Sequence, residues 1–320
     1  MKNKGFFNYM SEDSQSSLFR NGKVLTKRDL NGSDAGSEGI NIDKKEMKIL
    51  NARDSLARKN ISIDSKGFEI INSNIQNLGI DFFDNNEVLN KYYNHCADFI
   101  KDRTGATSVY AFDHNIRSAS GKKSKTMIKD GQQVQGPAHI VHGDYTLTSA
   151  PERFNQLAKP VRKNDTFRSI IGESNSLLSQ ELVDTTLLDG RFAIINLWRN
   201  IVEEPVEVNP LALCDASTVS PEDLVVFEIH YADRIGENYF AKHNKNHDWY
   251  YFDKMTKNEA LLIKQWDSHG AIAKTNGKLA DNESFDKPCT FSFHSAFEDP
   301  STREDAPDRW SMEVRCIVIY

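Results

Sequence analysis

The sequence predicts a mainly β fold with flanking helices, arranged as a sandwich or roll. Short apolar stretches alternating at period two recur along the chain, separated by turn residues such as Gly, Asn, Asp and Pro. A sustained helical period marks residues 87–101. With 320 residues and 38% hydrophobic content, the chain can bury one sizeable core, and no repeat of solenoid length interrupts it.

Residues 1–45 are rich in Asn, Ser, Gly, Asp and Lys, which predicts a polar, mobile N-terminal tail from which Phe6, Phe7 and Tyr9 could dock. One domain is expected over 46–320, with order beginning within 46–57. Residues 61–63 and 68–71 alternate as short strands would. In the helix at 87–101, Leu89, Tyr92, Tyr93, Cys96 and Phe99 or Ile100 form the apolar stripe, with Asn86 as cap and Gly105 as terminator. A strand at 108–112 leads into Asp113 to Arg117, and the polar, basic stretch 118–135 predicts a mobile loop. Ser149 to Glu152 has the S-x-x-E form of a capping box and predicts a helix to Leu157. Strands are expected at 191–199, 224–231, 247–252, 260–266, 290–297 and 310–320, although 260–266 also suits a short helix.

A formal net charge of −6 argues against a nucleic-acid partner. No apolar run reaches the roughly 18 residues a membrane helix needs, and Lys2 and Lys4 precede no apolar secretory segment. Cys96, Cys214, Cys289 and Cys316 are scattered and read as reduced thiols, so a cytoplasmic location is expected. There is no G-x-S-x-G, Walker loop or G-x-G-x-x-G after a strand, which weakens hydrolase, nucleotide and nicotinamide readings. A small-molecule substrate is the expected partner, with homo-oligomerisation left open.

The chemistry concentrates at His142 and Asp144, two residues apart among β-formers. On a strand both project from one face, so an imidazole and a carboxylate converge. A second histidine would complete the 2-His-1-carboxylate set that leaves one face of an Fe(II) ion open, and His294, in another strand-like run, is the candidate. His139 has the wrong parity to join them. His243 and His247 have helical metal spacing, but Asn244 to Asn246 is poor helix and lacks the glutamate of H-E-x-x-H. After His294 come a short loop and a strand opening with Arg309-x-Ser311. An arginine fork is suited to grip a carboxylate bidentately. Arg309, Ser311, Glu313 and Arg315 share one parity, which leaves Arg309 and Arg315 both open as anchors, with Arg309 preferred.

Several blocks resemble, in order, the family of fungal gibberellin desaturase-like enzymes and the cephalosporin methoxylase accessory component, often labelled hydroxylase/desaturase. They are Asp102 to Ala106 with Phe112 to Arg117, Val141 to Thr146, Asn196 to Arg199, Pro210 to Asp215, Lys264 with Asp267 and Ser268, His294 to Phe297, and Ser311 to Arg315. Trp198-Arg199-Asn200 departs from the family's Trp-Arg-Pro. The resemblance implies a double-stranded β-helix (jelly-roll, cupin-like) core. It also implies an Fe(II)/2-oxoglutarate-dependent dioxygenase that uses O2 to hydroxylate or desaturate a small specialised metabolite, releasing succinate and CO2. His142, Asp144 and His294 would hold Fe(II), and Arg309 and Ser311, or Arg315, the 2-oxoglutarate. His114, Arg117, Tyr145, Asn196, Trp198 and Arg199 are candidates for the substrate pocket. Two alternatives remain: a cupin-like metalloenzyme without 2-oxoglutarate, which has no need of Arg309 and Ser311, and a non-catalytic jelly-roll binding module.

Overall fold

The period-two stretches become fifteen strands among the described residues of the computed structural model, which are 3–28, 34–54, 60–232, 234–275 and 287–320. In chain order they are β1 (Asn3–Met10), β2 (Leu25–Arg28), β3 (Asp34–Glu38), β4 (Ile42–Asn51) and β5 (Phe68–Asn72). Next come β6 (Ser108–Arg117), β7 (His142–Gly143), β8 (Phe192–Asn200), β9 (Leu211–Cys214) and β10 (Leu224–His230). The rest are β11 (Ile235–Ala241), β12 (Trp249–Tyr251), β13 (Glu259–Asp267), β14 (His294–Ala296) and β15 (Ser311–Ile319). They form two sheets, so the protein is mainly β with short helices. One sheet is antiparallel in the order β5-β13-β8-β15-β6. The other is mixed, in the order β1-β4-β12-β9-β14-β7-β11-β10-β2-β3.

Every residue of β8 is buried, as expected of a strand covered on both faces. One face of the five-stranded sheet packs on the helix Tyr93–Thr104 through Tyr93, Cys96 and Ile100. That helix ends at Gly105 with φ 67°, where a residue lacking Cβ adopts the left-handed turn without strain. Asp84, not Asn86, caps the helical segment, its carboxylate accepting from the Asn86 N–H. The other face of the sheet is polar. Antiparallel register places Asp113, Asn196 and Arg315 abreast, and likewise Asn115, Trp198 and Glu313.

Several expectations need correction. Residues 3–10 are not a mobile tail but β1, paired with β4. Phe7 and Tyr9 are buried, Phe7 stacking on Trp249, and the Tyr9 hydroxyl accepts from Trp249 Nε1 at 2.8 Å and meets His247 Nδ1 at 3.2 Å. Much of the remaining polar arm is also built into the sheet as β2, β3 and the start of β4, while residues 29–33 lie outside the described residues, as do 55–57 of the stretch where order was expected to begin. Residues 61–63 do not form a strand: 61 and 62 are irregular and 63 opens a turn.

The loop 118–135 is folded. Ser118 caps a short helix, Ala119–Lys123, and Ile128 and Val134 are buried. The Asp308 carboxylate ties it down, accepting from Ser118 Oγ at 2.6 Å and the Ser120 N–H at 2.9 Å. The capping box at 149–152 is likewise replaced: the helix Ser149–Gln156 forms, but Thr146 Oγ1 accepts from the Thr148 and Ser149 N–H groups.

Candidate metal centre

β7 and β14 are neighbours in the mixed sheet, and their register sets His142 directly opposite His294. The two imidazole centroids are 4.3 Å apart. Asp144, just beyond β7, turns its Oδ1 to both rings, 3.6 Å from His142 Nε2 and 3.8 Å from His294 Nε2. One donor atom from each residue lies within 4.8 Å of the others, and this is the one such group among the described residues. His142 Nδ1 meets the Ile140 carbonyl at 2.7 Å, and His294 Nδ1 lies 3.5 Å from the Ser292 carbonyl. A proton held on Nδ1 leaves each Nε2 lone pair facing the carboxylate.

The protonation states suit ligation. Burial, reinforced by His294, pushes the His142 pKa down to about 4, and burial also lowers that of His294, so both rings are neutral at physiological pH. Burial alone would raise the Asp144 pKa, but the Arg315 guanidinium and the two imidazoles outweigh it and hold the carboxyl well below its ordinary range. Two neutral imidazoles and one carboxylate, buried together, are a donor set suited to Fe(II).

The surrounding cavity is lined by Arg117, Trp198, Leu211, Arg309 and Glu313 as well as the triad. Arg309 is 2% exposed, with its guanidinium 5.8 Å from the Trp198 ring and Nη1 donating to the Asn209 carbonyl. Its Nε has no partner, nor does the buried Ser311 Oγ. Burial, with Arg117 as the second cause, pushes the Arg309 pKa down to about 9. Arg315 differs: Nη1 donates to Asp113 at 2.8 Å and Nη2 to Glu313 at 2.9 Å, and Nε lies 3.5 Å from Asp144 Oδ2.

Of the other sequence candidates, Asn196 donates to Asp144 Oδ2 at 3.0 Å, and Tyr145 is half-buried near Arg315, whose charge acts on its hydroxyl. His114 and Arg199 are not in the cavity. His114 bonds the Tyr93 hydroxyl at 2.9 Å on the helix side. Arg199 spends its donors on Tyr92, on the carbonyl and hydroxyl of Ser73 and on the Lys257 carbonyl. Sequence reasoning missed Gln265, whose Oε1 accepts from the Asp144 N–H at 3.2 Å. It sits at a β-bulge in β13, and the inserted residue breaks the alternation that would have flagged it. His247 is buried on Asp223 and Tyr9, away from the triad.

No helix among the described residues is long and apolar enough to cross a membrane. A protein of Methylophilus leisingeri, "Uncharacterized protein in dcmA 3'region", is 42% identical over 61% of this chain and 88% of its own length. The alpha-ketoglutarate-dependent dioxygenase phiK of a fungal species is 28% identical over 88% of this chain and 86% of its own. The hydroxylase/desaturase efuI of Hormonema carpetanum is 27% identical over 81% and 79%. These names agree with the resemblance found in the sequence blocks. The iron and alpha-ketoglutarate-dependent endoperoxidase NvfI shares the fold, with a TM-score of 0.69, 22% identity and coverage of 100% of this chain and 97% of its own. A family model described as "Oxidoreductase/YMDC permease-like domain" matches residues 7–319, and the chain belongs to that family.

Proposed function

We propose that the protein is a non-haem Fe(II)/2-oxoglutarate-dependent dioxygenase, built as one domain on a jelly-roll core, that hydroxylates or desaturates a small specialised metabolite. The observation that carries this reading is the pairing of two features in one buried space. One is a three-ligand donor set, His142, Asp144 and His294. The other is a buried arginine and serine whose Arg309 Nε and Ser311 Oγ have no partner. An orphaned buried donor costs free energy unless a ligand supplies its acceptor. The distal carboxylate of 2-oxoglutarate meets that need.

In this reading His142 and His294 hold the metal through Nε2 and Asp144 through Oδ1. Fe(II), with 2-oxoglutarate and O2, supplies the oxidant that removes hydrogen from the substrate, with release of succinate and CO2. Arg309, fixed by Asn209 and flanked by Trp198, offers the Nε edge of its fork to the cosubstrate, and Ser311 adds a hydroxyl. The relatives named as dioxygenase and hydroxylase/desaturase support the reaction class.

The test is anaerobic addition of Fe(II) and 2-oxoglutarate, which should give the weak visible absorption of the metal–cosubstrate chelate. Aerobic turnover should then give succinate. Metal binding without any response to 2-oxoglutarate would favour a cupin-like enzyme that does not use it. Binding of neither would leave a jelly-roll binding module.

A further inference from the structure

Arg315 is a largely but not fully buried cation with three carboxylate neighbours, and it has no place in cosubstrate binding as just described. Its position bears on the two oxygens of Asp144, which are not equivalent. Oδ1 faces His142 Nε2 and His294 Nε2, 3.6 and 3.8 Å away. Oδ2 accepts from Asn196 Nδ2 at 3.0 Å and lies 3.5 Å from Arg315 Nε. The arginine cannot swing aside, because Asp113 on β6 and Glu313 on β15 hold its two terminal nitrogens. Gln265 pins the Asp144 main chain through its N–H. The imidazoles thus come from one sheet, and the groups that orient the carboxylate come from the other.

We infer that Arg315 and Asn196 are positioning residues that reserve Oδ2 of Asp144, so that this carboxylate offers the metal a single oxygen and Arg315 is no anchor for 2-oxoglutarate. The inference rests on the reading of His142, Asp144 and His294 as metal ligands. A second carboxylate oxygen on the metal would occupy a position that a two-point chelating cosubstrate requires. Groups that hydrogen-bond a ligating side chain fix its orientation, and losing one typically costs 10- to 100-fold in metal affinity.

The experiment uses Co(II) as a spectroscopic substitute, added to the full-length protein and to the variants Asn196→Ala, Arg315→Met and Arg315→Lys. The readouts are Co(II) affinity, the visible absorption of the bound ion, and the metal-induced rise in Tm. Asn196→Ala and Arg315→Met should bind Co(II) roughly 10- to 100-fold more weakly, with altered band intensity and a smaller metal-induced Tm shift. Arg315→Lys should recover part of the affinity, because it keeps the charge but not the fork. A purely structural role would lower Tm equally with and without metal and leave the spectrum of the bound ion unchanged. Wild-type Co(II) affinity and spectrum in both truncations would overturn the inference. So would an Arg315→Met protein that keeps its Co(II) site but loses response to 2-oxoglutarate. Should Arg315→Met fail to fold, Asn196→Ala decides by the same readouts. A wild-type protein that binds Co(II) no better than His142→Ala would instead overturn the metal reading itself.

Discussion

Replacing Arg309 by Ala tests the proposed cosubstrate site most directly. The guanidinium is buried, and no carboxylate lies within ion-pairing distance of it among the described residues. Nη1 is committed to the Asn209 carbonyl, so the fork cannot rotate freely, and Nε has no partner. Removing one member of a buried charge pair costs about 3–5 kcal/mol. At about 1.4 kcal/mol per tenfold, 2-oxoglutarate should bind the variant roughly two to four orders of magnitude more weakly. Arg117 lines the same cavity and can compensate in part, which favours the lower end. Titration of the anaerobic metal–cosubstrate band measures this, and metal affinity, read separately, should barely move. The apo protein should respond in the opposite sense. An unpaired buried cation beside Arg117 is a cost to the fold, so Arg309→Met should raise the Tm of the ligand-free protein while abolishing the Tm rise caused by 2-oxoglutarate. Unchanged cosubstrate affinity in Arg309→Ala would refute the reasoning and remove the case for 2-oxoglutarate.

Ala replacement of His142, Asp144 or His294 should abolish metal binding and succinate formation with the fold intact, whereas His243→Ala should retain metal; atomic absorption on the purified proteins checks both. The apo protein should lose stability as pH falls from about 6.5 to about 4, because over that range the unfolded chain binds a proton that the buried His142 refuses. At about 1.36 kcal/mol per pKa unit the total is about 3 kcal/mol, and denaturant titrations of His142→Gln should show a flatter pH profile. Tyr9→Phe should cost about 1–3 kcal/mol by leaving the buried Trp249 N–H without its acceptor, where a mobile tail would predict no change. Asp308→Ala should release the loop at 118–135, seen as new proteolytic cleavage there and weaker 2-oxoglutarate binding through the adjacent Arg309.

The parts of this fold that could be read from sequence obey one local period. β8, β10, β13 and β15 are long and largely apolar, and they fall within a residue or two of their expected bounds, although a bulge interrupts the alternation of β13. His142 and Asp144 converge because a two-residue spacing favours it, even though the regular strand stops at Gly143. β1 was hidden because its surroundings are polar, although Phe7 and Tyr9 already alternate, and its partners lie far along the chain in β4 and around Trp249. Parity would have excluded Arg199, since Trp198 lines the cavity, Asn196 on the same face reaches Asp144, and Arg199 lies between Trp198 and Asn200 in the alternation. Grouping it with its neighbours as one block concealed that. Parity cannot separate Arg309 from Arg315, because both lie on one side of the strand. What separates them is the position of Asp113 and Asp144, each contributed by a different part of the chain.

The place of β15 between β8 and β6 also constrains how the protein is made. Both flanking strands leave the ribosome well before it, at roughly 5–20 residues per second, and must wait with unpaired edges for the strand that joins them. Until β15 inserts, Arg315 is absent, and Asp144 has neither its cation nor the finished sheet behind it. The proposed ligand geometry is therefore complete only once β15 has paired with β8 and β6. A pairing of such long sequence separation also predicts slow closure, so the half-made sheet is the species that a chaperone would be expected to hold.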